Sequence, residues 1–140
     1  MAYRKDWPQP QMGNQGFART MKVFGRSVNF ATGDLLINNT IGLFVVPKDF
    51  VLTAMLATVV PDLDTGTSTL RIALGDALLS TRILAADAIF STGGAMPALA
   101  ASGFLYRFPT DTEILATVTV AANVAAAGAV PIYLQGFIGP

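Results

Sequence analysis

The most suggestive chemistry in the sequence lies in the segment Asp62-Leu63-Asp64-Thr65-Gly66. Its D-x-D-x-G spacing matches the start of a calcium-binding loop, in which carboxylate oxygens ligate the ion. An EF-hand loop also needs a Glu at its twelfth position, where this chain has Ala73. We favour a polar hairpin turn, in which the Asp side chains accept hydrogen bonds from backbone N–H groups and Gly66 supplies a positive φ. The alternative is a weak Ca²⁺ or Mg²⁺ site formed by Asp62, Asp64 and Asp76.

Acid–base catalysis would have to use the few remaining carboxylates. Glu113 is the one Glu, and the Asp residues stand at predicted turns, where acids usually only solvate a loop. His and Cys are absent, which excludes a His general base, Ser-His-Asp or Cys-His machinery, a Cys/His zinc site and a disulfide. Gly93-Gly94 is not followed by the Lys and Ser/Thr of a phosphate-binding loop. We therefore expect no enzymatic activity and no cofactor.

The composition indicates one domain with an unusually uncharged surface. The chain has 140 residues, nine Lys+Arg against nine Asp+Glu, 52% hydrophobic residues and 13% charged residues. An ordinary domain has about 25% charged residues, and a monomer with so few charges and no net charge is poorly soluble. We expect part of the apolar surface to be buried against other subunits. The neutral balance argues against nucleic-acid binding, which needs clustered Lys and Arg.

Residues 1–18 differ from the rest, since they are rich in Pro, Gly, Gln and Asn. This composition predicts an extended N-terminal arm followed by a folded domain over residues 19–140. Trp7 and Phe17 are apolar anchors in it, and Arg4, Lys5 and Arg19 make the region basic. The arm is either a frayed terminus or a segment that docks on a neighbouring molecule.

Alternation of apolar residues with period two predicts about eight short strands separated by turn signals. The clearest segments are residues 20–30, 41–46, 50–60, 69–74, 104–108, 113–124 and 130–138. The continuous apolar segment 41–46 suggests a strand buried on both faces, and segment 130–138 is the expected hairpin partner of the strand before it. Residues 76–90 are ambiguous, because residues 79, 83, 86 and 90 have helical spacing. We favour a strand over residues 78–84 followed by a loop, because every neighbouring segment is β.

Two charge-free stretches, residues 88–106 and 114–140, are long enough to span a membrane. Both are interrupted by Gly and Pro, and neither has a basic flank, so we expect no membrane segment. The predicted fold is all-β: a single antiparallel β-sandwich, jelly-roll-like, with an extended N-terminal arm.

A further indication comes from the order of several short segments in the sequence. These are Trp7-Pro8-Gln9-Pro10, Gly42-Leu43-Phe44-Val45-Val46-Pro47, Asp62-Leu63-Asp64-Thr65-Gly66, Leu70-Arg71-Ile72-Ala73-Leu74-Gly75-Asp76, Tyr106-Arg107-Phe108-Pro109-Thr110-Asp111, and a Thr/Val/Ala strand with Ala126-Ala127-Gly128 and a last strand ending Gly136-Phe137. In style and order, the chain from Phe17 to Phe137 resembles small β-sandwich structural proteins of tailed bacteriophages, which decorate or cement capsids.

This resemblance implies a non-enzymatic virion component made in the bacterial host cytoplasm. It would be a homo-oligomer, often a trimer, on the capsid exterior, and would stabilise the head by bridging major capsid protein subunits. We expect the arm residues Arg4, Lys5, Trp7, Phe17 and Arg19 to contact the capsid or a neighbour. The alternatives are a low-copy tail, baseplate or head-fibre component, and a carbohydrate- or cation-binding β-sandwich module.

Overall fold

The computed structural model describes residues 21–139. The predicted arm, residues 1–18, and all five of its proposed contact residues lie outside this range. The described part consists of nine strands and one short helix in the order β1 Lys22–Phe30, β2 Thr40–Val46, β3 Phe50–Met55, β4 Val59–Val60, β5 Arg71–Gly75, β6 Leu84–Asp87, α1 Ile89–Thr92, β7 Gly94–Ala95, β8 Thr112–Val120 and β9 Gly128–Ile138. A single turn of 3-10 helix, Thr32–Leu35, joins β1 to β2.

Two antiparallel sheets form the body of the molecule. One has the strand order β1-β9-β3, and the other has the order β2-β8-β5-β6. Strands that follow one another along the chain often lie in different sheets, as in a jelly roll. For example, β1 and β3 belong to the first sheet, whereas β2 belongs to the second. The prediction of an all-β antiparallel sandwich is therefore confirmed. A third, two-stranded ladder pairs Val59 with Ala95 and Val60 with Gly94.

Residues 105–108 occupy the fourth position of the first sheet without forming a regular strand. Leu105 N–H donates to Leu52 O at 2.7 Å, and Phe108 N–H donates to Phe50 O at 3.0 Å. In return, Tyr106 O accepts from Leu52 N–H and Phe108 O accepts from Asp49 N–H. The strand predicted over residues 104–108 therefore pairs with β3, but only part of it does so, because residues 101–105 form a turn.

The core lies between the two sheets, and alternation along the strands fills it. On β8 the buried side chains are Ile114, Ala116 and Val118, and on β9 they are Val130, Ile132 and Leu134. Phenylalanines close one end, where the Phe50 ring stacks on Phe108 at 6.2 Å between centroids. Such aromatic pairs contribute about 0.5–1.5 kcal/mol beyond the area they bury.

The partner of the last strand was predicted wrongly. β9 does not form a hairpin with β8; it lies between β1 and β3 in the opposite sheet. The reason is the connection over residues 121–127, which carries the chain from one sheet to the other and is held by hydrogen bonds to the Asp64 loop. Period-two alternation identifies both strands, but it carries no information on which sheet each one joins.

Three other predictions need correction. Among the described residues, segment 41–46 is an edge strand, since β2 pairs there with β8 alone. It is not buried on both faces, because Leu43 and Val46 are buried whereas Val45 is exposed. The segment 50–60 divides into β3 and β4, and the break is held by the Thr58 hydroxyl, which donates to Pro131 O at 2.9 Å. In the segment 76–90 the strand begins only at Leu84, and a helical turn follows it. Among residues 21–139, no helix is both long and apolar enough to cross a bilayer.

Candidate functional site

Asp64, the central acid of the predicted calcium-type loop, is a buried hub of hydrogen bonds. One carboxylate oxygen, Oδ2, accepts from the backbone N–H groups of Thr69, Leu70 and Asn123 at 2.9–3.2 Å, and from the Thr69 hydroxyl at 3.3 Å. The other, Oδ1, accepts from Val124 N–H at 2.9 Å and from Gly66 N–H at 3.3 Å. The residue is 1% exposed. The hub joins the 62–70 loop to the 121–127 connection.

The protonation of Asp64 follows from these contacts. Burial alone would raise the pKa of its carboxyl, but the N–H groups of Val124, Asn123, Thr69 and Leu70 outweigh burial and hold the pKa well below its usual range. The carboxylate is therefore ionised at any ordinary pH. Its lone pairs are directed to N–H donors, and this is the arrangement of a structural anion that fixes two loops.

The loop is not the predicted hairpin turn, although its Asp residues do accept backbone hydrogen bonds as predicted. Asp62 Oδ1 accepts from Asp64 N–H at 2.8 Å. Gly66 does not adopt a positive φ; instead, a Cβ there would lie 2.1 Å from Asn123 Oδ1 and would displace that side chain. That oxygen accepts from Thr67 N–H at 3.0 Å, so the glycine lets the loop close on the connection.

The three candidate metal ligands are not brought together. Asp62 and Asp64 lie before β5, whereas Asp76 follows its last residue. The five residues of β5 separate them by about 16 Å. Within residues 21–139 there is no group of three His, Cys, Asp or Glu side chains arranged to hold a metal ion. The alternative of a cation site at these residues gains no support.

Asp76 instead belongs to a buried ion pair with Arg82. Arg82 Nε donates to Asp76 Oδ2, and the two side chains are 11% and 3% exposed. Asp76 Oδ1 accepts from the N–H groups of Leu78 and Leu79 at 2.9 and 2.8 Å. The Arg82 guanidinium lies over the Tyr106 ring, 3.5 Å from its centroid. Ionic, hydrogen-bond and cation–π contacts thus hold the 76–83 loop against the segment that lies beside β3.

Two other carboxylates considered for catalysis, Asp87 and Asp111, also serve local structure. Asp87 Oδ1 accepts from Ile89 N–H at the start of α1, at 2.8 Å. Asp111 Oδ1 accepts from Lys48 N–H at 2.8 Å. In both cases the carboxylate accepts a backbone hydrogen bond and so fixes a local turn.

Four large apolar side chains are exposed on the two loops that Arg82 joins. We call Leu78, Leu79, Phe104 and Leu105 the apolar loop surface; Leu78 is 79% exposed, and Phe104 and Leu105 are 58% and 55% exposed. The loops are tied together by Ala100 N–H, which donates to Ile83 O at 2.8 Å, and by the Ser102 hydroxyl, which donates to Arg82 O at 3.3 Å. A rigid, exposed apolar surface is typical of an interface with another molecule.

Leu105 adopts a backbone conformation that disfavours it, with φ of 61°. The left-handed region costs an ordinary residue roughly 1–2 kcal/mol, and only Gly enters it readily. The surrounding contacts impose this conformation, because Leu105 N–H donates to Leu52 O. Strain of this kind is concentrated at binding segments. No sequence pattern indicates the strain at Leu105 or the burial of the Asp76–Arg82 pair, because both depend on contacts with segments distant along the chain, Leu52 and Tyr106.

A groove of about 340 Å³ lies next to the apolar loop surface. Much of its lining is apolar and includes Leu78, Tyr106, Phe108 and Leu115. Three acidic residues also line it: Asp76, which is paired with Arg82, and Asp111 and Glu113. Among residues 21–139, no Lys or Arg lines the groove. This volume is at the low end for small-ligand pockets, which occupy roughly 300–1,000 Å³.

The fold is shared with proteins of solved structure, although no protein-family model and no curated protein matches the chain. It is similar to a chain in the capsid asymmetric unit of cyanophage Pam1, with a TM-score of 0.74 and 23% identity over 89% of both chains. It is also similar to a chain in the capsid of Ralstonia phage GP4, with a TM-score of 0.67, 20% identity and coverage of 89% of this chain and 86% of that one.

A third similarity is to a chain in the structure described as the acidic stable capsid of Helicobacter pylori bacteriophage KHP30. There the TM-score is 0.51 and the identity 15%, over 85% of this chain and 92% of that one. At these identities the comparisons establish the fold: this chain has the same antiparallel all-β sandwich as chains found in three bacteriophage capsid structures.

Proposed function

We propose that this chain is a bacteriophage virion structural protein, and that it is a capsid decoration or cement protein. The observation that carries the proposal is the fold match over 89% of both chains with a component of the cyanophage Pam1 capsid. Two further phage capsid structures contain chains of similar fold and length. The absence of His and Cys from the sequence supports a structural role over a catalytic one.

The surface of the protein supports a role in assembly. Only 13% of the residues are charged, and the apolar loop surface exposes four large side chains on loops that a buried ion pair holds in place. Permanent interfaces are large and more hydrophobic than transient ones, with charged residues depleted at their centre. The proposed partners are the major capsid protein and further copies of this chain, arranged as a homo-oligomer such as a trimer on the capsid exterior.

The proposed mechanism is thermodynamic linkage. A protein that binds only the assembled lattice stabilises that lattice by RT ln(1 + [L]/Kd), which is about 2.7 kcal/mol per site at one hundred times Kd. One copy that contacts two capsid subunits would resist their separation. The apolar loop surface and the arm residues Arg4, Lys5, Trp7, Phe17 and Arg19 are the proposed contacts.

The number of copies of this chain per particle tests the proposal, and quantitative mass spectrometry of purified virus particles measures it. A copy number similar to that of the major capsid protein is the expected result. A few copies per particle would contradict the decoration role and indicate a tail, baseplate or head-fibre component. Absence from particles would overturn the virion role and leave the carbohydrate- or cation-binding module as the alternative.

The contact residues are tested by adding purified variants to capsids that lack this protein, followed by sedimentation. We expect weaker binding after deletion of residues 1–18, and also for the double variant Leu78→Ser/Phe104→Ser. Val120→Ser is the matched control, since Val120 is 44% exposed but lies at the opposite end of the sandwich, beside Arg71. Unchanged capsid occupancy after the arm deletion would contradict the role of the arm.

A further inference from the structure

The groove next to the apolar loop surface is lined by aromatic, aliphatic and acidic side chains. One segment of this chain is complementary to such a lining. The lining combines the aromatic rings of Tyr106 and Phe108 with the aliphatic side chains of Leu78 and Leu115. The Glu113 carboxylate accepts no hydrogen bond and forms no ion pair within the described part of the chain, and Asp111 accepts only from a backbone N–H group. The occupant that such a groove favours is an aromatic side chain with a cation close to it.

The N-terminal region has an excess of positive charge, and the rest of the chain has an excess of negative charge. Three of the nine cations and one of the nine acids fall in residues 1–20, so that region has a net charge of +2 and the rest of the chain a net charge of −2. Within it, Arg4-Lys5-Asp6-Trp7 places the one Trp of the chain beside two cations. Attraction between an acidic groove and a basic segment gives orientation and a faster encounter.

The segment can reach the groove of its own molecule. Lys22 pairs with Gly136, Gly136 pairs with Leu52, and Leu52 N–H donates to Tyr106 O. Lys22 and Tyr106 are therefore three strand spacings apart, or about 14 Å. Trp7 precedes Lys22 by 15 residues, and a chain of that length extends to about 50 Å. A tethered segment of this kind acts at an effective concentration in the millimolar range.

We propose that the groove binds the Arg4–Trp7 segment of its own chain, with the Trp7 indole among Leu78, Tyr106 and Leu115 and the cations at Glu113 and Asp111. This inference goes beyond the virion role. It describes the unassembled protein, whose arm would have to leave the groove before it could contact a capsid. Because it is tested on the purified chain alone, its failure would not affect the virion proposal, which copy number tests.

Trp7 is the one tryptophan, so intrinsic fluorescence of the unmodified protein reports on the arm alone. For the docked segment we expect emission shifted to the blue of N-acetyltryptophanamide and reduced quenching by acrylamide. Both effects should be unchanged on dilution. Emission and quenching equal to those of the free indole would overturn the proposal, and so would a blue shift that disappears on dilution, because that would assign the groove to a neighbouring copy.

Two variants assign the docking site. Glu113→Lys removes a rim carboxylate, and we expect a decrease of roughly fivefold in the ratio of docked to free arm, with a red shift and stronger quenching. Leu78→Ser removes an exposed side chain from the groove wall and should have the same direction of effect. Thr119→Lys is the control, since it adds a cation to the same strand outside the groove. Each variant is accepted only if its thermal unfolding matches that of the wild type.

If Glu113→Lys and Leu78→Ser both leave the emission of a shielded Trp7 unchanged, the indole lies elsewhere and the proposal is wrong. If Thr119→Lys changes the emission as much as Glu113→Lys, the effect is general electrostatics and the groove is not the site. Raising the salt concentration should shift the wild type toward the free arm and leave Glu113→Lys nearly unchanged, because rim charge pairs are screened within about 10 Å at 0.1 M salt.

Discussion

Replacement of Arg82 by Met should destabilise the fold strongly, because it breaks a buried ion pair. The Arg82 and Asp76 side chains are only 11% and 3% exposed, so the variant leaves a buried carboxylate without its cation. Breaking such a pair costs about 3–5 kcal/mol. Met preserves most of the length of the side chain, and the lost contact with the Tyr106 ring is a smaller contribution of about 0.5–2 kcal/mol.

The expected change is large enough for thermal unfolding to measure it. At about 2.1 cal/mol/K of unfolding entropy per residue, a chain of 140 residues loses about 3.4 °C of Tm for each kcal/mol, so the variant should melt roughly 10–17 °C lower. The matched control is Arg107→Met. Arg107 pairs with Asp49 at 2.9 Å, but these side chains are 47% and 30% exposed, and an exposed pair contributes about 1 kcal/mol or less.

A double-mutant cycle separates the pair from its surroundings. Asp76→Asn alone leaves Arg82 without its carboxylate, whereas Asp76→Asn/Arg82→Met leaves no buried charge, so the double variant should cost less than the sum of the single ones. Direct contacts of this kind show coupling of about 0.5–3 kcal/mol. Strict additivity, or a loss for Arg82→Met no larger than that for Arg107→Met, would refute the assignment of the pair as the element that holds the 76–83 loop.

Three further predictions concern single positions. Asp64→Asn should lower the free energy of unfolding measured in urea at pH 7, and the difference from wild type should persist down to about pH 4. The pKa of Asp64 is lowered in the folded state, so the stabilisation by its carboxylate is lost only as pH falls below the ordinary Asp range toward that lowered pKa. A difference confined to pH above 5 would contradict this. Gly136→Ala should cost about 1–3 kcal/mol by urea unfolding, since its Cβ would lie 2.0 Å from Val51 O. Gly33→Ala is the control with nothing within 4 Å of the added methyl group, and equal effects of the two would refute the argument. Phe108→Ala, at a fully buried position, should cost about 3–5 kcal/mol by the same assay, and a loss under 1 kcal/mol would show that the aromatic cluster is not part of the core.

The strands could be predicted because their signal is local. Alternation along residues 113–120 places Ile114, Ala116 and Val118 on one face, and all three are buried. The same alternation could not assign β9 to its sheet, since its apolar face would fit a hairpin with β8 as well as a position between β1 and β3. The segment 104–108 was predicted as a whole strand because nothing in its composition indicates that Leu105 adopts a left-handed conformation.

The chemistry of the Asp64 loop was predictable only in part. The residue types correctly predict that the Asp side chains accept hydrogen bonds from backbone N–H groups close by in the sequence, as Asp62 does from Asp64. The donors on Asn123 and Val124, however, lie about 60 residues away along the chain. A D-x-D-x-G spacing is therefore equally compatible with a cation site and with an anion held by N–H groups. The difference is decided by which distant backbone approaches the carboxylate.

The position of β9 at the centre of its sheet has a consequence for biosynthesis. β1 finds its partner only when residues up to Gly136 are available, because Lys22 pairs with Gly136 across more than one hundred residues. Among the described strands, nascent β1 therefore has no sheet partner while the ribosome adds the intervening chain, whereas β3 can already pair with residues 105–108. The apolar face of β1 must be kept from other chains during that time. Pairing between such distant segments also makes folding slow, in the millisecond-to-second range of all-β domains. Stalled chains that end before residue 128 should be protease-sensitive throughout, with no folded intermediate emerging strand by strand from the exit tunnel.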